Sequence, residues 1–264
     1  MTATHAAPAP ARRSLVDDTL LVTARELRPT LTDPFSVVFS LIQPLVFLAL
    51  FGPLLAGNLG GGLPGGEVWM WFVPAILVMI SLFGSSVVGS NLLYEMQTGA
   101  HERMLVTPLS RSSLLIGRAA KEIVTLAAQA LLIIVVMLPF GFRPSFLGAA
   151  AGLVLLAVLG VGISSLSYAL AIAVRKQDWM FWVVQQTVLF PIMILSGMLL
   201  PLDAGPGWMR AAAGFNPLSH VVEAERALFA GDLLAPAVAG GFVAAGLTAA
   251  VGLVVGIRSM RHSD

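Results

Sequence analysis

Cysteine is absent from the chain, which rules out a disulfide framework and any thiolate metal site and leaves the redox compartment open. Charge is scarce as well: Asp, Glu, Lys and Arg make up 11% of the 264 residues, against roughly 25% in ordinary soluble domains. Histidine is limited to His5, His101, His220 and His262, so the ligands for a metal centre are hard to assemble and none is expected. His101-Glu102 opens like the HExxH zinc motif, but Leu105 stands where the second histidine belongs. No GxxxxGK[ST] loop occurs, and no GxGxxG follows a strand, so the chain has neither of these devices for holding a nucleotide. An ATP-driven role would need a partner that has them.

What remains is apolar. Hydrophobic residues are 57% of the chain and the mean hydropathy is +0.89. They come in uninterrupted runs of about 20, the length a helix needs to cross about 30 Å of hydrocarbon. An all-α polytopic membrane protein follows, with six spans expected near 36–55, 68–92, 119–140, 146–174, 179–200 and 236–257. Ahead of them, residues 1–35 read as an Ala/Pro-rich tail and a potentially amphipathic helix, SLVDDTLLVTARELRPTLTD. The first apolar run begins too late, and is too long, for a cleavable signal. Residues 36–257 form the transmembrane domain and 258–264 a short tail. Placing both termini in the cytoplasm puts 12 of the 15 Lys and Arg residues on that side, leaving Arg143, Arg210 and Arg226 outside, as the positive-inside rule demands.

Polar residues inside apolar runs are costly and face a partner or a cavity. Gln43 lies beside Pro44 in the first run, and Gln185, Gln186 and Thr187 precede Pro191 in the fifth. They either line a pathway for an amphipathic substrate or tie helices together. Ser85, Ser86, Ser164 and Ser165, with His220 near the outer face, admit an intramembrane hydrolase on paper. Small residues that let helices approach closely are the plainer account. After the fifth run, Asn216 suits a helix N-cap, Pro217 its first position and Gly231 its end. Leu218, Val221, Val222, Leu228 and Phe229 fall near one face of this helix, and Ser219, Glu223 and Arg226 on another. It is read as an outer interfacial or re-entrant helix, or as a simple cap.

Between the second and third runs lies YEMQTGAHERMLVTPLSRSSLL, residues 94–115. Pro108 disfavours helical geometry at Thr107 and so ends a short helix there, while Gly99 permits a bend or a close approach. Taken alone, such a segment either docks a soluble protein or is a solvated loop that enforces topology. Its ordered set of Glu95, Gly99, Glu102, Thr107-Pro108, Ser110-Arg111 and Gly117 resembles the cytoplasmic loop of type-2 ABC exporter permeases, the ABC-2 membrane family. With six spans and the late stretch NPLSHVVEAERAL, residues 216–228, the chain is similar to the daunorubicin-resistance branch along nearly its whole length. Ala100 and Arg118 depart from the usual Thr/Ser and Lys of the pattern, so neither the hydroxyl nor that lysine carries over.

The resemblance implies a permease subunit in a bacterial cytoplasmic membrane that exports an amphipathic drug-like compound, with lipid or lipid-linked glycan export as the alternative. It implies no enzymatic activity and no cofactor of its own. ATP and Mg would be bound by a partner, in an assembly of two permease subunits, identical or paralogous, and two soluble ATPase subunits. Nucleic acid is not expected. A cytoplasmic coupling helix of Glu95, Gly99, Glu102, Arg103, Pro108 and Arg111 would receive the ATPase. Gln43, Gln185, Gln186 and Thr187 are the candidate pathway residues, and Asn216, Pro217, Glu223 and Arg226 mark the outer helix.

Overall fold

The computed structural model describes residues 15–32, 34–59, 68–98, 111–202 and 205–261. Its long elements are helices: α1 (Leu15–Thr32), α2 (Pro34–Leu59), α3 (Val68–Gln97), α4 (Arg111–Met137), α5 (Phe146–Ala173), α6 (Trp179–Ile194), α7 (Gly207–Phe215), α8 (Pro217–Ala230) and α9 (Pro236–Arg261). No strand occurs among the described residues. Five segments are long and apolar enough to cross a membrane: Phe39–Gly57, Val68–Gln97, Ala120–Phe140, Phe146–Ala173 and Pro236–Ser259. Side chains such as Phe39, Leu50, Leu131, Val135, Val154, Val243 and Leu247 point outward, as helices solvated by lipid require.

The fifth expected span departs from this pattern. In place of a helix over 179–200, α6 stops at Ile194 after 16 residues, about 24 Å of helix against about 30 Å of hydrocarbon. Pro191 lies in its last turns and has no N–H to continue the ladder. Beyond it the Leu195 N–H bonds to the Pro191 carbonyl at 2.9 Å and the Ser196 N–H to Met193 at 3.2 Å. Gly197 then takes φ +70°, a left-handed turn that suits glycine.

α3 is the centre of the bundle, with 83% of its apolar window buried against 28% for α2, α4 and α9. It packs against α5, and α5 in turn contacts α4, α8 and α9. The core joins Leu41 and Leu48 of α2 to Phe72 and Ile76 of α3, Ile133 of α4, Leu155 and Leu159 of α5, and Val222 of α8. Small residues set these separations. A Cβ on Gly162 would meet the Ala249 nitrogen of α9 at 2.7 Å, and one on Gly89 the Ser167 carbonyl of α5 at 2.3 Å.

α3 also runs past its expected end at Leu92, to Gln97. Leu92, Leu93 and Met96 continue its packed face against Ala171 and Phe181, so nothing in the local pattern stops it. Glu95 therefore belongs to the last turns of α3, not to a separate coupling helix, and Gly99, Glu102, Arg103 and Pro108 lie outside the described residues.

Candidate functional site

Two polar assemblies stand out in this apolar bundle. The first is a seam where α3, α5 and α6 meet. The Ser86 hydroxyl donates to the Phe83 carbonyl at 2.8 Å, so its lone pair receives the Gln185 Nε2–H, also at 2.8 Å. The Ser167 hydroxyl donates to the Ser86 carbonyl and accepts the Gly89 N–H at 2.9 Å. Ser81 donates to the Leu156 carbonyl at 3.2 Å. A Cβ on Gly160 would stand 3.0 Å from the Ser85 hydroxyl. These serines tie helices together. His220 bonds to the Gly214 carbonyl at 3.1 Å through Nε2, which must donate there, and among the described residues no serine hydroxyl is hydrogen-bonded to it.

The second assembly lies at the broken end of α6. A helix leaves its last carbonyls without partners, and α8 supplies them. Asn216 Nδ2 donates to the Ile192 carbonyl at 2.7 Å, the Ser219 hydroxyl to Leu195 at 3.2 Å, and Arg226 Nη2 to Gly197 at 3.0 Å. Arg226 Nε also donates to the Trp71 carbonyl at 3.0 Å, and its guanidinium lies 3.8 Å above the Trp71 ring, a cation–π contact. Burial pulls the Arg226 pKa down to about 9 while Glu223 opposes the fall, so the charge persists at neutral pH. Asn216 also caps α8, its side chain accepting from the Leu218 N–H at 3.0 Å, with Pro217 at the first position and Gly231 at φ +92° closing the end. α8 is thus capped as expected, and Asn216 and Arg226 turn out to be the clamp on α6. The structure corrects Ser219, expected on the polar face: it is buried. Glu223 is exposed.

Removing the double role of Asn216 has a measurable cost. Asn216→Ala is expected to destabilise the protein by about 2 kcal/mol, from a lost cap and an orphaned carbonyl. That corresponds to a fall of roughly 4–8 °C in the thermal midpoint. Glu223→Ala, on the exposed side, should stay within about 0.5 kcal/mol; equal midpoints for the two variants, read by fluorescence melting in detergent, would contradict the clamp.

Comparison with known proteins now decides the family. The family model described as ABC-2 type transporter matches residues 18–230. The chain belongs to the ABC-2 type transporter family. It is 25% identical over 224 residues to the daunorubicin resistance ABC transporter permease of Streptomyces coeruleorubidus, covering 84% of this chain and 78% of that one. It is 28% identical over 255 residues to a probable doxorubicin resistance ABC transporter permease of Mycobacterium tuberculosis, covering 94% and 91%. A putative transport permease of Cyanophora paradoxa is 29% identical over 204 residues, with coverage of 74% and 68%. With its membrane-length helices, this chain is a multi-pass ABC-2 permease.

Within the ABC-2 chain the remaining candidates are scattered. Glu95 is half-buried near the end of α3, and Arg111 begins α4. Gln43 is exposed on α2, and Gln186 and Thr187 on α6, whereas Gln185 turns inward. Three features escaped the sequence reading. Gln129 of α4 donates to Ser40 of α2 at 2.7 Å, linking two helices through a lone amide in an apolar run. Glu225 is fully buried with both carboxylate oxygens unpartnered. The interval 218, 221, 222, 225, 228, 229 places it on the apolar face of α8. Gly117, read only as part of the loop pattern, is where α1 meets α4: a Cβ there would lie 2.6 Å from Val22, and the Thr23 hydroxyl, which donates to the Thr19 carbonyl at 2.8 Å, also lies 3.3 Å from the Gly117 carbonyl.

Proposed function

We propose that this ABC-2 permease is the membrane subunit of an ATP-driven exporter that moves an amphipathic, drug-like compound out of a bacterial cell. The observation that carries the reading is the ABC-2 match over residues 18–230, supported by relatives named for daunorubicin and doxorubicin resistance. Two permease copies or paralogues work with two soluble ATPase subunits, which bind the ATP and Mg. Both permease termini and the 94–115 segment face those subunits in the cytoplasm. Glu95, Gly99, Glu102, Arg103, Pro108 and Arg111 receive the ATPase. α1, held on α4 at Gly117, moves with them. ATP binding favours one access state of the permease pair over the other through differential contacts. The exposed Gln43, Gln186 and Thr187 lie on faces of α2 and α6 that remain open for a route between the two permeases.

The test is reconstitution of the chain with a soluble ATPase that copurifies with it. Gly99→Trp and Glu102→Ala are each expected to lower export per ATP hydrolysed by roughly tenfold, within the range of coupling energies between sites, while the chain still inserts. Unchanged export per ATP in both variants, or no ATPase copurifying, would remove the assignment.

A further inference from the structure

Arg226 clamps the end of α6 with only part of its guanidinium. Nε donates to the Trp71 carbonyl and Nη2 to Gly197, both at 3.0 Å, and the Trp71 ring lies under the group at 3.8 Å. The third nitrogen, Nη1, has no partner among the described residues and is not sealed inside the protein. Its two N–H donors are held in place by the other contacts, and Arg226 lines a cavity of about 620 Å³ between the start of α3, the turn after α6, α7 and α8. That volume falls within the range of small-molecule sites, about 300–1,000 Å³.

Two more charges line it, Arg210 of α7 and Glu223 of α8, and among the described residues neither is in an ion pair. Glu223 and Arg226 have the spacing of a helical ion pair, yet the clamp holds the guanidinium on Trp71 and Gly197 instead. The other polar groups are largely committed. Ser196 and Ser219 donate to the Met193 and Leu195 carbonyls at 2.6 and 3.2 Å, and His220 Nε2 donates to Gly214, which leaves Nδ1 of the neutral ring as an acceptor. The cavity thus offers cationic donors and an anionic acceptor together. Its depth is set by Met70 and Trp71, in the first turn of an α3 whose membrane-length stretch begins at Val68, so it sits at a water–hydrocarbon boundary. α7 has the matching pattern: Trp208 and Phe215, two turns apart and exposed, share one face, while Arg210, Ala213 and Gly214 turn another to the cavity. A helix lying in the interface is arranged that way, with its apolar face toward the acyl chains and its charge among the headgroups.

We propose that this cavity seats the headgroup of a zwitterionic phospholipid with a primary amine, its phosphate received by Arg226 Nη1 and Arg210 and its ammonium by Glu223. An anionic headgroup without an amine leaves the Glu223 carboxylate unanswered beside it, and a headgroup without phosphate leaves both arginines so. A quaternary amine has no N–H to give to Glu223 or to His220 Nδ1, so its contact is the weaker one. The proposal needs the membrane-spanning fold and does not rest on the exporter reading.

The test is native mass spectrometry of the purified full-length chain in detergent, without ATPase or nucleotide, titrated with dioleoyl phosphatidylethanolamine, dioleoyl phosphatidylglycerol or dioleoylglycerol. Phosphatidylethanolamine is expected to bind more tightly than phosphatidylglycerol by roughly threefold to fivefold, the value of one partly exposed ion pair. Arg210→Gln should weaken both phospholipids by a similar factor and leave dioleoylglycerol unchanged. Glu223→Gln should erase the advantage of phosphatidylethanolamine over phosphatidylglycerol. Both side chains are exposed, so both variants keep the fold, whereas altering Arg226 would also undo the clamp on α6. The proposal is overturned if the unaltered chain binds the two phospholipids equally, if the preference survives Glu223→Gln, or if Arg210→Gln leaves both phospholipids unaffected. Displacement of the bound lipid by an equal concentration of water-soluble glycerophosphoethanolamine would give the site to a soluble aminophosphate and overturn the lipid assignment.

Discussion

Gly89→Ala is expected to lower the thermal midpoint of the protein by roughly 5–15 °C, while Gly84→Ala, on the same helix, changes it by no more than a few degrees. The added methyl at position 89 would stand 2.3 Å from the Ser167 carbonyl and 2.5 Å from its hydroxyl, distances that force α3 and α5 apart. Overpacking of this kind costs about 1–3 kcal/mol. Separation also breaks the bonds from Ser167 to the Ser86 carbonyl and from the Gly89 N–H to Ser167. Each polar group left buried without a partner adds about 1–3 kcal/mol, and α3 is the most buried helix of the bundle. Gly84 is exposed and has nothing within 4 Å of its would-be methyl, so there only helix propensity changes, by about 1 kcal/mol or less. Fluorescence melting of the three proteins in one detergent checks this. Equal midpoints for the two variants would mean that the helices do not cross at Gly89.

The same pair of glycines shows how far the sequence reaches. Ser85 and Ser86 read as packing residues, but nothing in the string says that Gly89 beside them makes the crossing and Gly84 does not. Helix positions were legible because apolar runs of spanning length have few alternatives in lipid. Helix faces were not. α6 is apolar on every side, so no stripe distinguishes the inward Gln185 from the outward Gln186, and the partner that turns Gln185 inward, Ser86, is remote in the chain. The end of α6 was misjudged for a similar reason. Its hydropathy continues to Leu200, while the reversal at Gly197 is held by Asn216, Ser219 and Arg226 from a helix that follows later. On α8 the apolar face at 218, 221, 222, 228 and 229 was legible. Glu223 was placed on the polar side, where it is exposed, but Glu225, which the same periodicity puts in the core, went unread.

That position makes the pH dependence of the protein predictable. Glu225 packs beneath α5, with its Oε2 only 2.5 Å from where a Cβ on Gly152 would lie, and burial pushes its pKa up from 4.5 to about 8. The folded chain therefore holds this proton across a window in which the unfolded chain has released it. Between about pH 4.5 and 8 the unfolded state binds fewer protons than the folded one, so stability falls as pH rises, and flattens once both states are ionised. From pH 5 to 7.5 the loss is on the order of 3 kcal/mol, a drop of roughly 6–12 °C in the thermal midpoint. Glu225→Gln keeps the shape without the titration, and Glu225→Leu removes the polar atoms as well, so the expected signature is a difference. The midpoint of the unaltered chain minus that of either variant should decline over this window and be level above it. Other titrating groups cancel in that subtraction. A difference that stays constant from pH 5 to pH 8 would show that Glu225 reaches solvent or a proton acceptor in the folded state. A sloping one would mean that alkaline pH loads a charge between α5 and α8, the helix whose Asn216, Ser219 and Arg226 hold the end of α6 in place.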